Sequence, residues 1–437
     1  MKRVRVGFTL QALVAGCLAW VGVAAETPKP EAKKEAVPAK TAAQSTLAKG
    51  SEQPKVWFRP EYLLLWSSDM NTPKYLVSSG SNADSIPGAL GQPGTRDLTK
   101  DDPFDGGMQH GARFTVGAWL NDGNDWGVEA SGFFDPARQS QTWSSGGDPA
   151  LGLPFYNTLL GQEDSYIVAW TGLPLPPPPP PRTQPTAIYP FTGPMSGTFK
   201  VTTKSGSWGA DIAALRNFHR GERINLDWKA GFQYFNLSEE YQHTATSAAT
   251  GPGDYYFLSQ VGVPAALGDT ISMSDRIETS NNFYGAFFGL RCHFQYCDRL
   301  EVDVLPKLGL GAMVQEVDRS GRTVLRTGTL SAVAPGGFYC LPTNLGKHSK
   351  TKFAAIPALE LKVGCRIIKE LSAHVGYSIH YVSSVARPTD QLDRRINEAY
   401  VPASSLYGAG GAAVPRAVHK TDDFFAHGLN AGFTIRF

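Results

Sequence analysis

The residue types that could carry chemistry are spread thinly along this 437-residue chain. His374 and His380 precede Asp390 and Asp393, and a catalytic base must lie within hydrogen-bond reach of its partner. The spacing gives these four residues no compelling arrangement, and the sequence contains no Gly-rich phosphate loop, nucleophile elbow or metal-ligand cluster. We therefore predict no enzyme, no catalytic residue, no metal and no cofactor, and keep a hydrolase as the least favoured alternative.

The cysteines give no clear chemical signal either. Four of them follow the first 25 residues: Cys292, Cys297, Cys340 and Cys365. Their spacing matches no zinc pattern, and a disulfide pairing cannot be deduced from sequence alone. Their pairing therefore stays open.

Charged side chains recur instead at alternate positions of apolar segments. In residues 125–134, for example, Trp126, Val128 and Ala130 share one face and Glu129 lies on the other. This period of two is typical of a β-strand with one apolar and one polar face. The same period occurs in ten segments: 56–66, 110–122, 125–134, 207–218, 224–237, 282–296, 299–315, 351–368, 371–384 and 425–437. Each has about the ten residues or more that a tilted strand needs to cross a bilayer.

The connections between these segments alternate between short and long. Short turns follow the second, fourth, sixth and eighth segments, and long segments follow the others. Outer-membrane barrels place short turns on the periplasmic side and long loops outside. An even strand number also leaves both chain ends on the periplasmic side. The pattern predicts an all-β fold: a closed antiparallel up-and-down transmembrane β-barrel of about ten strands, with twelve as the alternative count.

The polar face of the predicted strands should line the barrel interior. It carries near-equal numbers of basic and acidic residues, which predicts little ion selectivity. The basic residues are Arg59, Arg113, Lys229, Arg291, Lys307, Lys362, Arg366 and Arg436. The acidic residues are Glu61, Glu129, Asp211, Asp227, Glu301, Asp303 and Glu360. Buried charges need water or partners, so the interior is expected to be either a narrow wet channel or a lumen plugged by salt bridges.

The first 54 residues differ from the rest in composition. Residues 1–25 have a basic start, an apolar run and a small-residue site at 23–25, which predicts a signal peptide; a helical anchor and lipidation at Cys17 are weaker alternatives. Residues 26–54 are rich in Ala, Lys, Pro and Glu, which predicts a disordered periplasmic spacer. The barrel is expected over residues 55–437.

Composition supports the same class. The chain has 46 Gly, 48 Phe, Trp and Tyr residues together, and a net charge of only +2. Aromatic residues suit the headgroup girdles of a membrane barrel, whereas near-neutrality gives no reason to expect nucleic acid. We expect outer-membrane lipid as a partner and a location in the bacterial outer membrane, and the oligomeric state stays unknown.

Several motifs resemble the "Putative beta barrel porin-7" family of bacterial outer-membrane proteins. They occur in family order from about residue 57 to the end: PEYLLLW (60–66), GFQYFNLSEE (231–240), SNNFYGAFFGLR (280–291), LPTNLGKHS (341–349), SSVARPTDQLDRRIN (383–397) and DFFAHGLNAGFTIRF (423–437). The resemblance implies an outer-membrane barrel of porin type, with no established substrate.

Two loops and the chain end carry further expectations. A Pro-rich loop near 136–206 contains six consecutive prolines, 176–181, which favour stiff polyproline conformation; a rigid spacer is preferred over a docking arm. The loop at 387–397 is either a constriction over the barrel mouth or a solvated short helix. Its charged residues are Arg387, Asp390, Asp393, Arg394 and Arg395. The last strand carries Phe433, Ile435 and Phe437 on one face, which we expect the barrel-assembly machinery to recognise during biogenesis.

Three functions are weighed on these grounds. The preferred one is passive diffusion of small solutes through a porin-type barrel with little ion selectivity. The alternative is a non-conducting structural or adhesive surface barrel whose long loops bind a partner. An outer-membrane hydrolase is the third.

Overall fold

The computed structural model describes residues 55–71, 74–100, 107–172, 187–258, 260–328 and 330–437. The predicted signal peptide, the predicted spacer and the six prolines lie outside the described residues. The described part is all-β and antiparallel in its long strands, which confirms the predicted fold class at that level. Within it, no helix has the length and apolar character to cross a membrane.

Ten long strands dominate the described chain, and each covers all or most of one of the ten segments with a two-residue period. They are β1 (Val56–Ser67), β2 (Met108–Trp119), β3 (Trp126–Ser145), β4 (Met195–Arg220), β5 (Ile224–Ala249), β6 (Thr270–Gln295), β7 (Leu300–Thr327), β8 (Gly346–Arg366), β9 (Leu371–Val385) and β10 (Asp422–Arg436). Each pairs antiparallel with its two neighbours in the chain, and β10 pairs with β1. The pairing therefore returns to its start, and we call these ten strands the cyclic sheet.

One end of the cyclic sheet, the turn end, carries only short connections. They span residues 120–125, 221–223, 296–299 and 367–370. The strand that begins the sheet and the strand that ends it also meet here, because the carbonyl of Phe437 accepts hydrogen bonds from the Lys55 and Val56 amides at 2.9 and 3.2 Å. The alternation of short and long connections predicted from sequence is present in the structure.

The outward face of the strands near the turn end is apolar and exposed. Ile212, Phe232 and Leu429 are about half exposed, and their strand neighbours on the opposite face are buried or partly buried. Aromatic rings form contacts around this face, such as Trp208 with Tyr234 at 4.7 Å between ring centroids. The two-residue period therefore arises because one face meets the interior and the other does not.

The strands extend farther from the turn end than the sequence pattern predicts. β4, β5 and β6 each have 26 residues and β7 has 28. In these extensions the outward residues are mostly polar, so the apolar alternation stops while the pairing continues. Thr244 and Thr246 contact Ser274 and Ser272 across the strands at 3.2 and 2.9 Å.

The Pro-rich loop is correspondingly shorter than the predicted span of 136–206. β3 continues to Ser145, β4 already begins at Met195, and between them a hairpin of Ala150–Asn157 and Gln162–Ala169 folds back. The loop boundary was misplaced because the polar strand extensions look like loop sequence.

The long connections fold into the interior at this second end, which we call the loop end. Other short strands here are Ser78–Gly80, Arg96–Asp97, Gly253–Phe257, Gln260–Ala265, Leu330–Pro335 and Arg395–Ile396. Phe338 is fully buried, with its ring 5.2 Å from Phe155 and 5.5 Å from Tyr166. It belongs to the main apolar core of the described chain, which the loops and the strand extensions build together.

A buried carboxylate fixes one of these connections. Asp275 on β6 accepts hydrogen bonds from the amides of Phe338, Tyr339 and Cys340 at 2.9, 2.7 and 3.1 Å. The backbone passes so close to β7 that a Cβ added at Gly321 would lie 2.2 Å from the Cys340 carbonyl oxygen. Only glycine allows this approach without a shift of the segment.

Candidate functional site in the interior of the cyclic sheet

The interior at the turn end is built from charged side chains that contact one another. Glu61, which is 3% exposed, lies 3.0 Å from Lys362 and 3.1 Å from His374, and accepts a 2.7 Å hydrogen bond from Asn430. Arg113 lies 3.0 Å from Glu360 and 3.9 Å from Glu61. All of these side chains lie on the inward face of their strands, as the parity of the strands requires.

A second group surrounds Glu129. Its carboxylate lies 2.8 Å from the Lys229 ammonium and 2.6 Å from Arg291, and it accepts a 3.0 Å hydrogen bond from the Trp57 indole. Three donors therefore surround one buried acid. Such an arrangement offsets the desolvation of the carboxylate, because the attraction acts at low dielectric.

The remaining predicted interior charges are also partnered. Asp211 binds Lys307 at 2.6 Å and lies 3.6 Å from Lys229. Glu301 lies 3.2 Å from Arg436 and 3.5 Å from Arg366. The other contacts are Asp303 with His293 at 2.9 Å, Asp227 with the Asn217 amide at 2.7 Å, and Arg59 with the Thr434 hydroxyl at 3.3 Å. The structure thus brings together the residues that the sequence placed on the inward face.

An apolar layer lies next to the charged groups in the direction of the loop end. It consists of Phe235, Leu237, Phe283, Met313, Ala354, Ile356, Val382, Val385, Phe424 and Ala426, with Phe133 packed against them. Phe283 and Met313 are fully buried, and the Phe133 and Phe235 rings stack at 6.3 Å. These side chains form a second buried apolar cluster, separate from the main core at the loop end.

The sequence analysis missed this layer. A signal was present, because aromatic residues occur in adjacent pairs at Phe133–Phe134, Tyr234–Phe235 and Phe283–Tyr284. Adjacent strand residues point to opposite faces, so one ring of each pair had to enter the interior.

The segment 387–397 lies beyond the apolar layer and is folded into the interior. Arg387, which is 2% exposed, binds both carboxylate oxygens of Glu239 at 2.7 and 3.1 Å. It also donates to the Asp69 carbonyl at 2.8 Å. Burial opposes its charge, but the neighbouring Glu239 carboxylate raises the pKa of the Arg387 guanidinium. The preceding residue, Ala386, exchanges two backbone hydrogen bonds with the Asn281 side chain at 2.7 and 2.9 Å.

The other charged residues of this segment have separate partners. Asp390 accepts a 3.3 Å hydrogen bond from Asn71, Arg394 lies 2.9 Å from Glu163, and Arg395 lies 2.8 Å from Asp393. Residues Thr389–Gln391 form a single 3-10 turn whose Thr389 and Gln391 side chains are buried. The segment 387–397 is therefore folded and largely buried, and we call it the folded cover. It is not the solvated short helix that the sequence analysis gave as one of two alternatives.

The histidines lie apart from the aspartates with which they were considered. His374 contacts Glu61, and His380 stacks on Phe133 at 6.3 Å. In the described chain, no hydrogen bond or ion pair joins either histidine to Asp390 or Asp393, and no group of three or more His, Cys, Asp or Glu side chains is arranged to hold a metal ion. Cys297, Cys340 and Cys365 form no disulfide.

The residues expected to act in assembly lie at the end of the chain: Phe433 and Ile435 are on the outward face of β10, and Phe437 follows the strand directly. Phe433 and Phe437 are 50% and 69% exposed, and Ile435 is paired with Phe58 on β1 and Leu371 on β9. All three are therefore available at the turn end of the strand that completes the pairing cycle.

Comparison with solved structures gives only distant similarities. The outer membrane protease OmpT from Escherichia coli is 9% identical, with a TM-score of 0.36, 90% of this chain covered and 100% of that chain. A Pseudomonas aeruginosa FadL homologue is 8% identical, with a TM-score of 0.23 and coverage of 88% and 91%. The TodX monoaromatic hydrocarbon channel, as a deletion mutant, is 8% identical, with a TM-score of 0.21 and the same coverage. At these scores none of them supports an argument about this chain.

The comparison with protein families identifies the family of this chain, whereas the comparisons with individual proteins do not. No curated protein matches the chain. The sequence profile described as "Putative beta barrel porin-7" matches residues 57–437, which includes all ten strands of the cyclic sheet except the first residue of β1 and confirms the resemblance seen in the motifs. The chain therefore belongs to the beta barrel porin-7 family.

Proposed function

We propose that the cyclic sheet is a closed ten-stranded barrel that spans the bacterial outer membrane. The outward apolar residues of β5 run from Ile224 to Tyr234, which is about 33 Å along the strand and about 25 Å along the membrane normal for a tilted strand. That height fits the apolar band of an outer-membrane barrel, so lipid is the partner of this face. The short turns then face the periplasm and the loop end faces outward.

We further propose that the barrel is closed to solutes at rest and acts as a structural or adhesive barrel at the cell surface. The observation that carries this proposal is the filled interior: paired charges at the turn end, an apolar layer, and then folded loops. Because the charges at the turn end have partners in one another, they do not require a continuous water column for their solvation. The packed loop end provides a rigid outer surface, which suits the binding of a partner.

Passive diffusion of small solutes stays a prediction, and the family description is what favours it. The two functions differ in one measurable property, the entry of small sugars into liposomes. Liposomes carrying the folded protein should swell in isotonic arabinose no faster than protein-free liposomes. Swelling that rises with the amount of protein, and matches that of an open porin reconstituted alongside, would overturn the closed-barrel proposal.

Experiments in cells test the outer-membrane location of the protein and the role of residues 433–437. We propose that the barrel-assembly machinery recognises the outward face of β10, including Phe433, Ile435 and Phe437. Replacing Phe437 by Ser should reduce the amount of heat-modifiable, folded protein in the outer-membrane fraction. The same substitution at Phe425, which lies at the other end of the same strand face, is the matched control and should leave assembly closer to that of the unchanged chain.

A further inference from the structure

A group of basic side chains lies at the loop end and has no ion-pair partner among the described residues. It comprises Arg319 on β7, His348, Lys350 and Lys352 at the start of β8, and His419 just before β10. We call these five residues the basic niche. The interior elsewhere pairs its charges, so an unbalanced group requires a physical explanation.

The register of β7 and β8 places the β8 residues of the basic niche on the inward face. Lys352, Lys350 and His348 are directly opposite Met313, Gln315 and Val317. Residues directly opposite on paired strands share a face, and these three β7 residues are fully buried on the inner side. Lys350 and His348 are nevertheless exposed, so solvent reaches the inward face at this place.

The segment before β10 closes the other side of the basic niche. Lys352 donates a 2.7 Å hydrogen bond to the Thr421 hydroxyl, and His419 contacts the Gln315 side chain at 3.0 Å. The Arg319 guanidinium donates to the Val418 carbonyl. Two strands and one connecting segment therefore contribute the five side chains to one part of the loop end.

Arg319 is the strongest sign that a counter-charge is missing. It is 2% exposed, and its Nε and Nη1 atoms are buried without a hydrogen-bond partner among the described residues. Arg387 is equally buried but has the Glu239 carboxylate at 2.7 Å. A buried charge without a partner costs several kcal/mol, and an anion held nearby would reduce that cost.

The acids closest in sequence to Arg319 do not supply the counter-charge. Glu316 and Asp318 are even-numbered residues of β7 and so lie on the outward face, where Glu316 binds Lys347 at 2.8 Å. None of the five niche residues forms an ion pair within the described chain. Burial lowers the pKa of His419, and the neighbouring charges of Lys350, Arg319, Lys352 and His348 lower it further.

We propose that the basic niche binds a multiply charged oxyanion of the phosphate class, free or carried on a lipid headgroup. Lysine and histidine donate single charge-assisted hydrogen bonds that suit a phosphate oxygen. The exposed Lys350 and His348 make the first contacts with the anion, and Lys352 and His419 complete the site. The buried Arg319 attracts the anion through its positive charge. The site does not depend on whether the barrel conducts.

Inorganic pyrophosphate is the probe for the site itself. Calorimetric titration of the folded full-length protein in a zwitterionic detergent at low salt should show saturable binding. Lys350→Gln should weaken it about tenfold, because one charge-assisted hydrogen bond is lost. Lys347→Gln is the matched control: it removes the same charge three residues away on the outward face, and should change the affinity less than about twofold.

Three outcomes would overturn the proposal. They are no saturable binding, equal weakening by both substitutions, and unchanged affinity in Lys350→Gln. Heat-modifiable mobility of each variant shows that the barrel is folded, so a failure of folding cannot imitate a loss of the site.

A second titration distinguishes the two sources of phosphate. The protein is placed in nanodiscs of phosphatidylcholine alone or with one fifth phosphatidic acid. A weaker apparent pyrophosphate affinity with phosphatidic acid, absent in Lys350→Gln, assigns the site to a lipid phosphate. Equal affinity in both nanodiscs assigns it to a free phosphate group.

Discussion

The two ends of the interior are stabilised by different means. At the turn end, acids such as Glu61 and Glu129 each contact two or three donors, most of them on strands that do not pair with the acid's own strand. At the loop end, rings such as Phe155 and Phe338 pack into an apolar core, and polar groups mainly fix the path of the connections. The first arrangement uses only side chains on the inward face of the ten strands, whereas the second requires long connections to return to a particular place. The comparison predicts that loss of charge matters most at the turn end and loss of volume or anchoring at the loop end.

The largest effect is expected for the charge cluster at the turn end. Glu129→Gln leaves Lys229 and Arg291 buried without their acid, so the free energy of unfolding should fall by about 3 kcal/mol or more. Urea unfolding in detergent micelles measures it. Glu240→Gln is the control, because Glu240 pairs with partly exposed Lys204 and Arg276 and should cost less than about 1 kcal/mol. Equal losses in both variants would contradict the distinction between buried and exposed pairs.

The apolar layer comes next in expected size. Phe283→Ala removes a fully buried ring and should lower the free energy of unfolding by about 3 kcal/mol, since the cavity adds to the lost transfer energy. The same urea titration applies. Leu330→Ala, at a residue that is 72% exposed, should change it by less than about 0.5 kcal/mol. A Phe283→Ala variant as stable as the unchanged protein would show that the layer is not packed as described.

A smaller effect is expected at the anchor of residues 336–345. Asp275→Ala removes the acceptor of three backbone amides, so the segment should open locally at a cost of about 1–3 kcal/mol. Limited proteolysis should then cut within 336–345 earlier than in the unchanged protein. Cleavage at an unchanged rate would mean that apolar packing of Phe338 holds the segment by itself.

The smallest effect concerns Asp390 in the folded cover. Burial raises the pKa of Asp390, and the neighbouring Asp422 raises it further. A carboxyl with a raised folded-state pKa destabilises the fold once pH exceeds that pKa, and the penalty disappears below the pKa of the unfolded chain. Asp390→Asn should therefore raise the free energy of unfolding at pH 7 by less than about 0.5 kcal/mol, because the group is partly exposed. The melting temperature should rise slightly as a result. The gain should vanish near pH 3, and a gain that persists there would refute this cause.

The sequence predicted the part of the fold in which periodicity carries information. The inward placement of Arg113, Glu129 and Lys362 follows from parity, because every second residue of a strand faces the same side. The partners of each charge could not be predicted, since they depend on the stagger between strands that are distant in sequence. The strand extensions were missed because both of their faces are polar or mixed, as in residues 242–249.

The loop end shows why the rest could not be predicted. Asp275 and Arg387 are ordinary charged residues in the sequence, and their roles depend on connections that return from 60 or more residues away. The apolar layer could have been predicted in part. The adjacent pairs of aromatic residues indicated it, but the interior of a porin-type barrel was expected to be polar. A parity analysis that counts inward aromatic residues would have found it.

Single-channel recording in a planar bilayer tests the central claim, that the interior is closed at rest, most directly. The folded, full-length protein should give no steady conductance steps in several independent preparations, while an open porin purified in the same way gives them. Reproducible steps of uniform size from protein with verified heat-modifiable mobility would contradict the claim and restore passive diffusion as the function of the barrel.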